Sequence, residues 1–199
     1  MTENEKKVIS NFFVIEGLDG AGTTTQAKKL AKELPNSIFT WEPTDSEIGK
    51  LLRRILSQNL SIDKNTLAYL FATDRSNHLY NDNGIITQCK TTKVFCDRYI
   101  LSSFAYQSID ISEEIVLNLN KNFPIPEKTF FIDTPVDVCM QRLEKRDNRE
   151  IYEHYELQLK IREKYIKSID IFKNEGWNIK IIDGTKTIDE IFSEIYKDI

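Results

Sequence analysis

Phe12-Phe13-Val14-Ile15-Glu16-Gly17-Leu18-Asp19-Gly20-Ala21-Gly22-Thr23-Thr24-Thr25 passes from a continuous apolar run into a turn holding three of the chain's seven glycines. The order is that of a phosphate-binding loop: a buried strand, a glycine-rich turn, then a helix. The spacing follows G-x-x-x-x-G-K-[ST], with Thr23 in the lysine position. Glycines let successive backbone N–H groups converge on one phosphate. The helix that follows directs its positive N-terminal end at the same anion. Thr24 stands where a hydroxyl meets magnesium. Thr23 offers a hydroxyl but no charge. The competing reading is a glycine turn that binds nothing.

At 199 residues the chain reads as one domain, 1–199, long enough to bury a substantial core. Apolar residues make up 40% and charged residues 29%, with a net charge of −4. That balance speaks against a nucleic-acid surface, which needs clustered excess cations. Every apolar run is shorter than the roughly 18 residues of a membrane span. Met1 to Lys7 is polar and lacks the apolar stretch of a signal peptide. Cys89, Cys96 and Cys139 are odd in number and scattered. They read as reduced thiols of a cytoplasmic protein, with neither a metal nor a disulfide role.

Outward from the loop, strand and helix patterns alternate. Strands are expected at 12–16, 37–41, 93–96, 129–132 and 179–182. Helices are expected at 24–34, 48–56, 65–89, 102–107, 113–120, 136–144, 153–173 and 188–196. Ala27, Leu30, Ala31 and Leu34 share one face of the first helix, and Pro35 ends it. Five apolar strands separated by helices imply a three-layer α/β fold, a parallel sheet covered on both faces. Such sheets bind ligands beyond the carboxyl ends of their strands.

Those ends carry the chemistry. The second strand runs into Trp41-Glu42-Pro43-Thr44. The third runs into Asp97-Arg98-Tyr99, followed by Ser102, Ser103, Tyr106 and Gln107. An acid after a buried strand can hold magnesium through water, and an adjacent arginine can clamp a phosphate. A structural ion pair is the alternative. Phe71 and Arg75 lie one helical turn apart, with His78 a turn further. They suit stacking on a base and bonding its carbonyl. The plainer alternative puts Phe71 in the core, Arg75 snorkelling to water and His78 at the surface or in the core. The run from Arg142 to Arg149 carries four cations in eight residues. In a nucleotide enzyme it suggests a lid, about 145–152, whose arginines neutralise a transferring phosphoryl group.

Taken together, these residues resemble the thymidylate kinase family, whose members phosphorylate dTMP to dTDP. Phe13 to Gln26 looks like that family's loop, Asp19 included. Asp97-Arg-Tyr-x-x-Ser-Ser-x-Ala-Tyr-Gln107 resembles its signature and is the most specific match. Phe71-Ala-Thr-Asp-Arg75 is similar to its base-binding helix, and Ile182-Asp-Gly-Thr185 to the loop beside the donor adenine. The resemblance implies a P-loop kinase fold, ATP as donor, magnesium as cofactor and a homodimer.

By that resemblance, Gly17, Gly20, Ala21, Gly22, Thr23, Thr24 and Thr25 hold the ATP phosphates. Asp183, Gly184 and Thr185 lie beside adenine. Phe71 stacks on thymine, with Arg75 on its O4 and Ser103 or Gln107 near N3. Arg98 holds the dTMP phosphate, Tyr106 packs under the deoxyribose, and Glu42 and Pro43 border the same ligand. Asp19 positions the acceptor sugar or the phosphate network, and Asp97 and Thr24 organise magnesium. Arg149, with Arg146 beside it, supplies the lid cation, as in bacterial-type relatives whose loop, like Gly20 here, carries no arginine. Two departures stand out: Thr23 for lysine, and Trp41 where many relatives have arginine before Glu-Pro. A nucleotide-binding protein without transfer, or a kinase for a related substrate, are the alternatives.

Overall fold

β1 (Val8–Gly17) is buried along its last six residues, and its neighbours explain why. In this computed structural model, which describes residues 7–57, 60–143 and 155–199, β1 is the middle strand of five. The others are β2 (Ser37–Trp41), β3 (Lys93–Asp97), β4 (Ile125–Asp133) and β5 (Ile179–Asp183), and the order is β2-β3-β1-β4-β5. All four pairings are parallel. A strand covered on both faces must be apolar on both, so Phe12, Phe13, Val14 and Ile15 are consecutive rather than alternating.

Register aligns the carboxyl ends. Ile15 and Trp41 both pair with Asp97, Gly17 pairs with Ile132, and Asp133 with Asp183. The glycine loop, Glu42, Asp97-Arg98 and Asp183-Gly184 therefore emerge along one edge. The order reverses at β1, with β2 and β3 on one side and β4 and β5 on the other, and this opens a crevice there.

Helices α1 (Thr23–Glu33), α2 (Glu47–Leu56), α3 (Lys64–Tyr80), α4 (Ile85–Gln88), α5 (Ile100–Gln107), α6 (Glu113–Asn120), α7 (Val136–Leu143), α8 (Tyr155–Asn174) and α9 (Ile188–Tyr196) flank the sheet. The single helix expected over 65–89 is two. Asn81 turns extended at the end of α3, and the Gly84 N–H bonds the Asn81 carbonyl at 2.8 Å. A Cβ at Gly84 would stand 2.5 Å from the Leu79 carbonyl oxygen, so the chain closes a tight corner there. β1 and β4 also begin earlier than expected, at Val8 and Ile125. Their early halves pair with each other across a register shift between Ile9 and Phe13, near Asn11 at φ 63°. That irregularity, with Pro126 opposite, hides the strand periodicity. Among the described residues no helix is long and apolar enough to cross a membrane.

Candidate active site

The glycine loop takes the shape its composition allows. Gly20 and Gly22 lie at φ 84° and 101°, and a Cβ on Gly20 would stand 2.6 Å from the Cys139 carbonyl oxygen. Gly22 caps α1 with no side-chain acceptor, leaving the helix's first N–H groups open to an anion. Thr23 is buried against Gly17, whereas Thr24 and Thr25 are exposed at the loop's mouth. The Thr24 hydroxyl donates to Asp97 Oδ2, and Asp97 Oδ1 is buried with no hydrogen-bond partner among the described residues. An unpartnered carboxylate oxygen beside a threonine hydroxyl suits a hard cation held partly through water. The described residues include no cluster of three or more His, Cys, Asp or Glu that could cage a metal. Water and phosphate oxygens would have to complete the shell.

Arg98 follows Asp97 in a left-handed conformation, φ 71°. Its ion-pair partner is Asp19 of the glycine loop, not the adjacent Asp97. Nη1 reaches the Gly17 carbonyl at 3.2 Å, Ser102 Oγ at 3.3 Å and the Tyr165 hydroxyl at 3.2 Å. The guanidinium lies 5.1 Å from the Tyr106 ring centroid, and the Tyr106 hydroxyl accepts the Asp19 N–H. Burial works to lower the Arg98 pKa, but Tyr106 and Asp19 outweigh it and hold the group firmly charged. Behind it, Glu16 accepts the N–H groups of Tyr99 (2.9 Å) and Ser102 (3.2 Å), bracing the start of α5. Burial raises the Glu16 pKa, only partly offset by Ser102 and Arg98.

The third group corrects an expectation. Arg75 does not snorkel to water; it is 1% exposed. Its Nε and Nη2 donate to Glu42 Oε2 at 2.9 and 2.7 Å. Nη2 also donates to Ser103 Oγ at 2.9 Å, and Nη1 to Asn120 Oδ1. His78, expected at the surface or in the core, is mostly buried, its side chain 11% exposed. Its Nδ1 meets Glu42 Oε1 at 3.2 Å and its Nε2 meets Thr40 Oγ1 at 2.6 Å. Burial would raise the Glu42 pKa, but Arg75 and His78 outweigh it and the net shift is downward. The Glu42–Pro43 peptide is cis.

A cavity of about 360 Å³ joins these groups, the size of a small-ligand site. It is lined by Asp19, Gly20, Gly22, Thr23, Thr24, Thr25, Glu42, Pro43, Phe71, Arg75, Asp97, Arg98, Ser103, Tyr106 and Gln107, all singled out in the sequence. Gly17 and Ala21 support the loop without lining the cavity. Asp183, Gly184 and Thr185 lie outside it, at the end of β5. There Arg142 bridges the two segments, reaching the carbonyls of Gly20, Ala21 and Gly184 at 3.3 Å. Arg146, Arg149 and the expected lid, 145–152, lie outside the described residues.

Sequence reading missed Arg53, which lines the cavity from α2 and holds the Pro43 and Thr44 carbonyls at 2.6 and 2.7 Å. It also missed Glu16, Asn120 and Tyr165. Only Arg53 carried a signal, a cation on the helix directly after Glu-Pro.

A phosphate loop at the end of a central parallel strand, an acid and an arginine on the neighbouring strand, and an acceptor-sized cavity between them define a P-loop phosphotransferase. The thymidylate kinase family pattern matches residues 15–195. The probable thymidylate kinase of Methanococcus aeolicus is 38% identical over 192 residues, covering 95% of each chain. The putative thymidylate kinase of Treponema pallidum is 40% identical over 163 residues, covering 79% of this chain and 78% of its own. Among solved structures, the thymidylate kinase of Candida albicans superposes with a TM-score of 0.74 at 23% identity, covering 99% of this chain and 92% of its own, a likeness of fold. The chain belongs to the thymidylate kinase family and is a nucleoside monophosphate kinase.

Proposed function

We propose that the protein, working as a single domain, transfers the γ-phosphoryl group of ATP to dTMP, giving dTDP and ADP. The observation that carries this reading is the hydrogen-bonding pattern at the base end of the cavity. Among the described residues, four of the five N–H groups of Arg75 are engaged by Glu42, Ser103 and Asn120, leaving one on Nη1. Gln107 Oε1 is buried without a partner among the described residues. One donor and one acceptor match the O4 and N3–H of thymine, and an amino group at C4 would face a donor instead.

Phe71 offers its ring to the base and Tyr106 supports the sugar. Arg98, with Arg53 nearby, takes the acceptor phosphate, so that binding exchanges the Arg98–Asp19 pair for a phosphate contact. Loop N–H groups and the start of α1 hold the donor phosphates, with Asp183, Gly184 and Thr185 on the adenine side. Thr23 adds no charge, so Arg149 and Arg146 of the lid take up the lysine's duty. Magnesium at Thr24 and Asp97 would offset charge on the phosphate oxygens.

The buried, unpaired thiols fit a cytoplasmic enzyme: burial pushes Cys89 and Cys139 up to about 12. An uncharged stripe on α3, with Tyr69 and Tyr80 exposed at 58% and 55%, favours a homodimer, which light scattering would test.

A coupled assay with ATP and a panel of monophosphates tests the acceptor. dTMP should be preferred and dUMP weaker, since one methyl in an apolar pocket is worth about 1–3 kcal/mol. Equal turnover of dCMP, dAMP or dGMP would contradict the reading.

A further inference from the structure

We propose that His78 is a positioning residue for base recognition, acting through Glu42 on Arg75. The inference rests on the acceptor reading above.

The geometry is a chain of three contacts. Thr40 Oγ1 meets His78 Nε2 at 2.6 Å, His78 Nδ1 meets Glu42 Oε1 at 3.2 Å, and Glu42 Oε2 receives two nitrogens of Arg75. The side chains of His78 and Glu42 are 11% and 5% exposed, so water has little part in it. Glu42 is ionised and can only accept; therefore Nδ1 carries a hydrogen in either charge state of the ring. In the neutral ring, Nε2 accepts from the Thr40 hydroxyl.

The division of labour on Glu42 gives His78 its consequence. One carboxylate oxygen serves His78 and the other serves Arg75 alone. With Oε1 anchored, the carboxylate plane cannot rotate, and Oε2 holds the guanidinium at two points. Asn120 and Ser103 take two further N–H groups, so the direction of the last Nη1 hydrogen is set by the whole frame. Asn120 is itself fixed, because its Nδ2 donates to the Val116 carbonyl at 2.8 Å. Without His78, Oε1 is a buried acceptor with no donor among the described residues. The carboxylate then turns to seek one, and Arg75 turns with it.

The experiment compares wild type, His78→Leu and His78→Asn with two acceptors: dTMP and the pyrimidin-2-one deoxynucleoside monophosphate, which lacks the 4-oxygen and also the N3–H, the latter a loss common to wild type and variants. For His78→Leu, KM for dTMP should rise about tenfold, the cost of one buried acceptor left unmet. Its kcat and its KM for ATP should stay near wild type. His78→Asn, whose Nδ2 occupies the place of Nδ1, should recover most of the loss. The analogue should bind wild type and His78→Leu alike, because the lost contact is one it never makes. A fall in kcat with unchanged KM, an equal KM rise for both acceptors, or no rescue by Asn would each overturn the proposal. Failure of wild type to use dTMP would instead overturn the acceptor reading on which it rests.

Discussion

Arg98 and Glu42 carry opposite kinds of dependence. Arg98 is held ready by Asp19, Ser102, Tyr165 and the Gly17 carbonyl, yet remains at the cavity wall. Arg98→Ala should lower kcat/KM by on the order of 2–5 kcal/mol, since a buried phosphate loses its cation. Thermal melting should shift little; early melting with intact specific activity would mark Arg98 as structural. Glu42 acts on the fold instead. Its folded pKa lies below the ordinary 4.5, so its contribution to stability is full above that value and is lost as pH falls through the folded one. Glu42→Gln should flatten that acid limb and, by leaving Arg75 uncompensated, cost about 3–5 kcal/mol at neutral pH. Urea titrations from neutral to acid pH measure both; an unchanged acid limb would show that Glu42 is not the titrating group. Motif reading found Arg98 and Glu42 but not the carboxylate of Glu16 or the amide of Asn120, because each is unremarked in its local sequence and gains its role from partners far along the chain.

α3 shows why the elements were easier to read than their contacts. Phe71, Asp74, Arg75 and His78 recur at i, i+3, i+4 and i+7, one face of a helix. On the sequence alone, the plainer reading sends Arg75 out to water. Instead that face grips the β2–α2 loop: Asp74 accepts the Thr44 N–H at 2.8 Å and the hydroxyls of Thr44 and Ser46 at 2.6 and 2.8 Å. The polar stripe is buried because the loop supplies its partners. From the other side α2 approaches the loop so closely that a Cβ at Gly49 would stand 1.9 Å from the Thr44 carbonyl oxygen. Gly49→Ala should displace the loop, cost about 1–3 kcal/mol of stability, and raise KM for dTMP while sparing KM for ATP. Equal changes in both constants would show that α2 does not act through the acceptor side. The helix break at Gly84 belongs to the same scale: Asn81-Asp82-Asn83-Gly84 is a turn-forming run between two apolar stretches, and the close approach to the Leu79 carbonyl fixes the corner.

At the scale of the molecule, the five strands and the edge bearing the site were legible, because buried parallel strands announce themselves as apolar runs followed by polar ends. Their order was not, since alternation of strand and helix says nothing of which strand lies beside β1. That order is what places Asp97 next to the glycine loop and opens the crevice between donor and acceptor ends. The arrangement meets the needs of phosphoryl transfer except at Thr23, which is buried and uncharged. The fold performs transfer without the loop lysine. The most direct measurement is a single turnover of wild-type protein with γ-labelled ATP, magnesium and dTMP, followed by separation of the nucleotides. Label should appear in dTDP, and Arg98→Ala should sharply slow its appearance. ATP retained by the protein with all label still in ATP, at every acceptor concentration, would contradict it and leave a protein that binds nucleotides without moving phosphoryl between them.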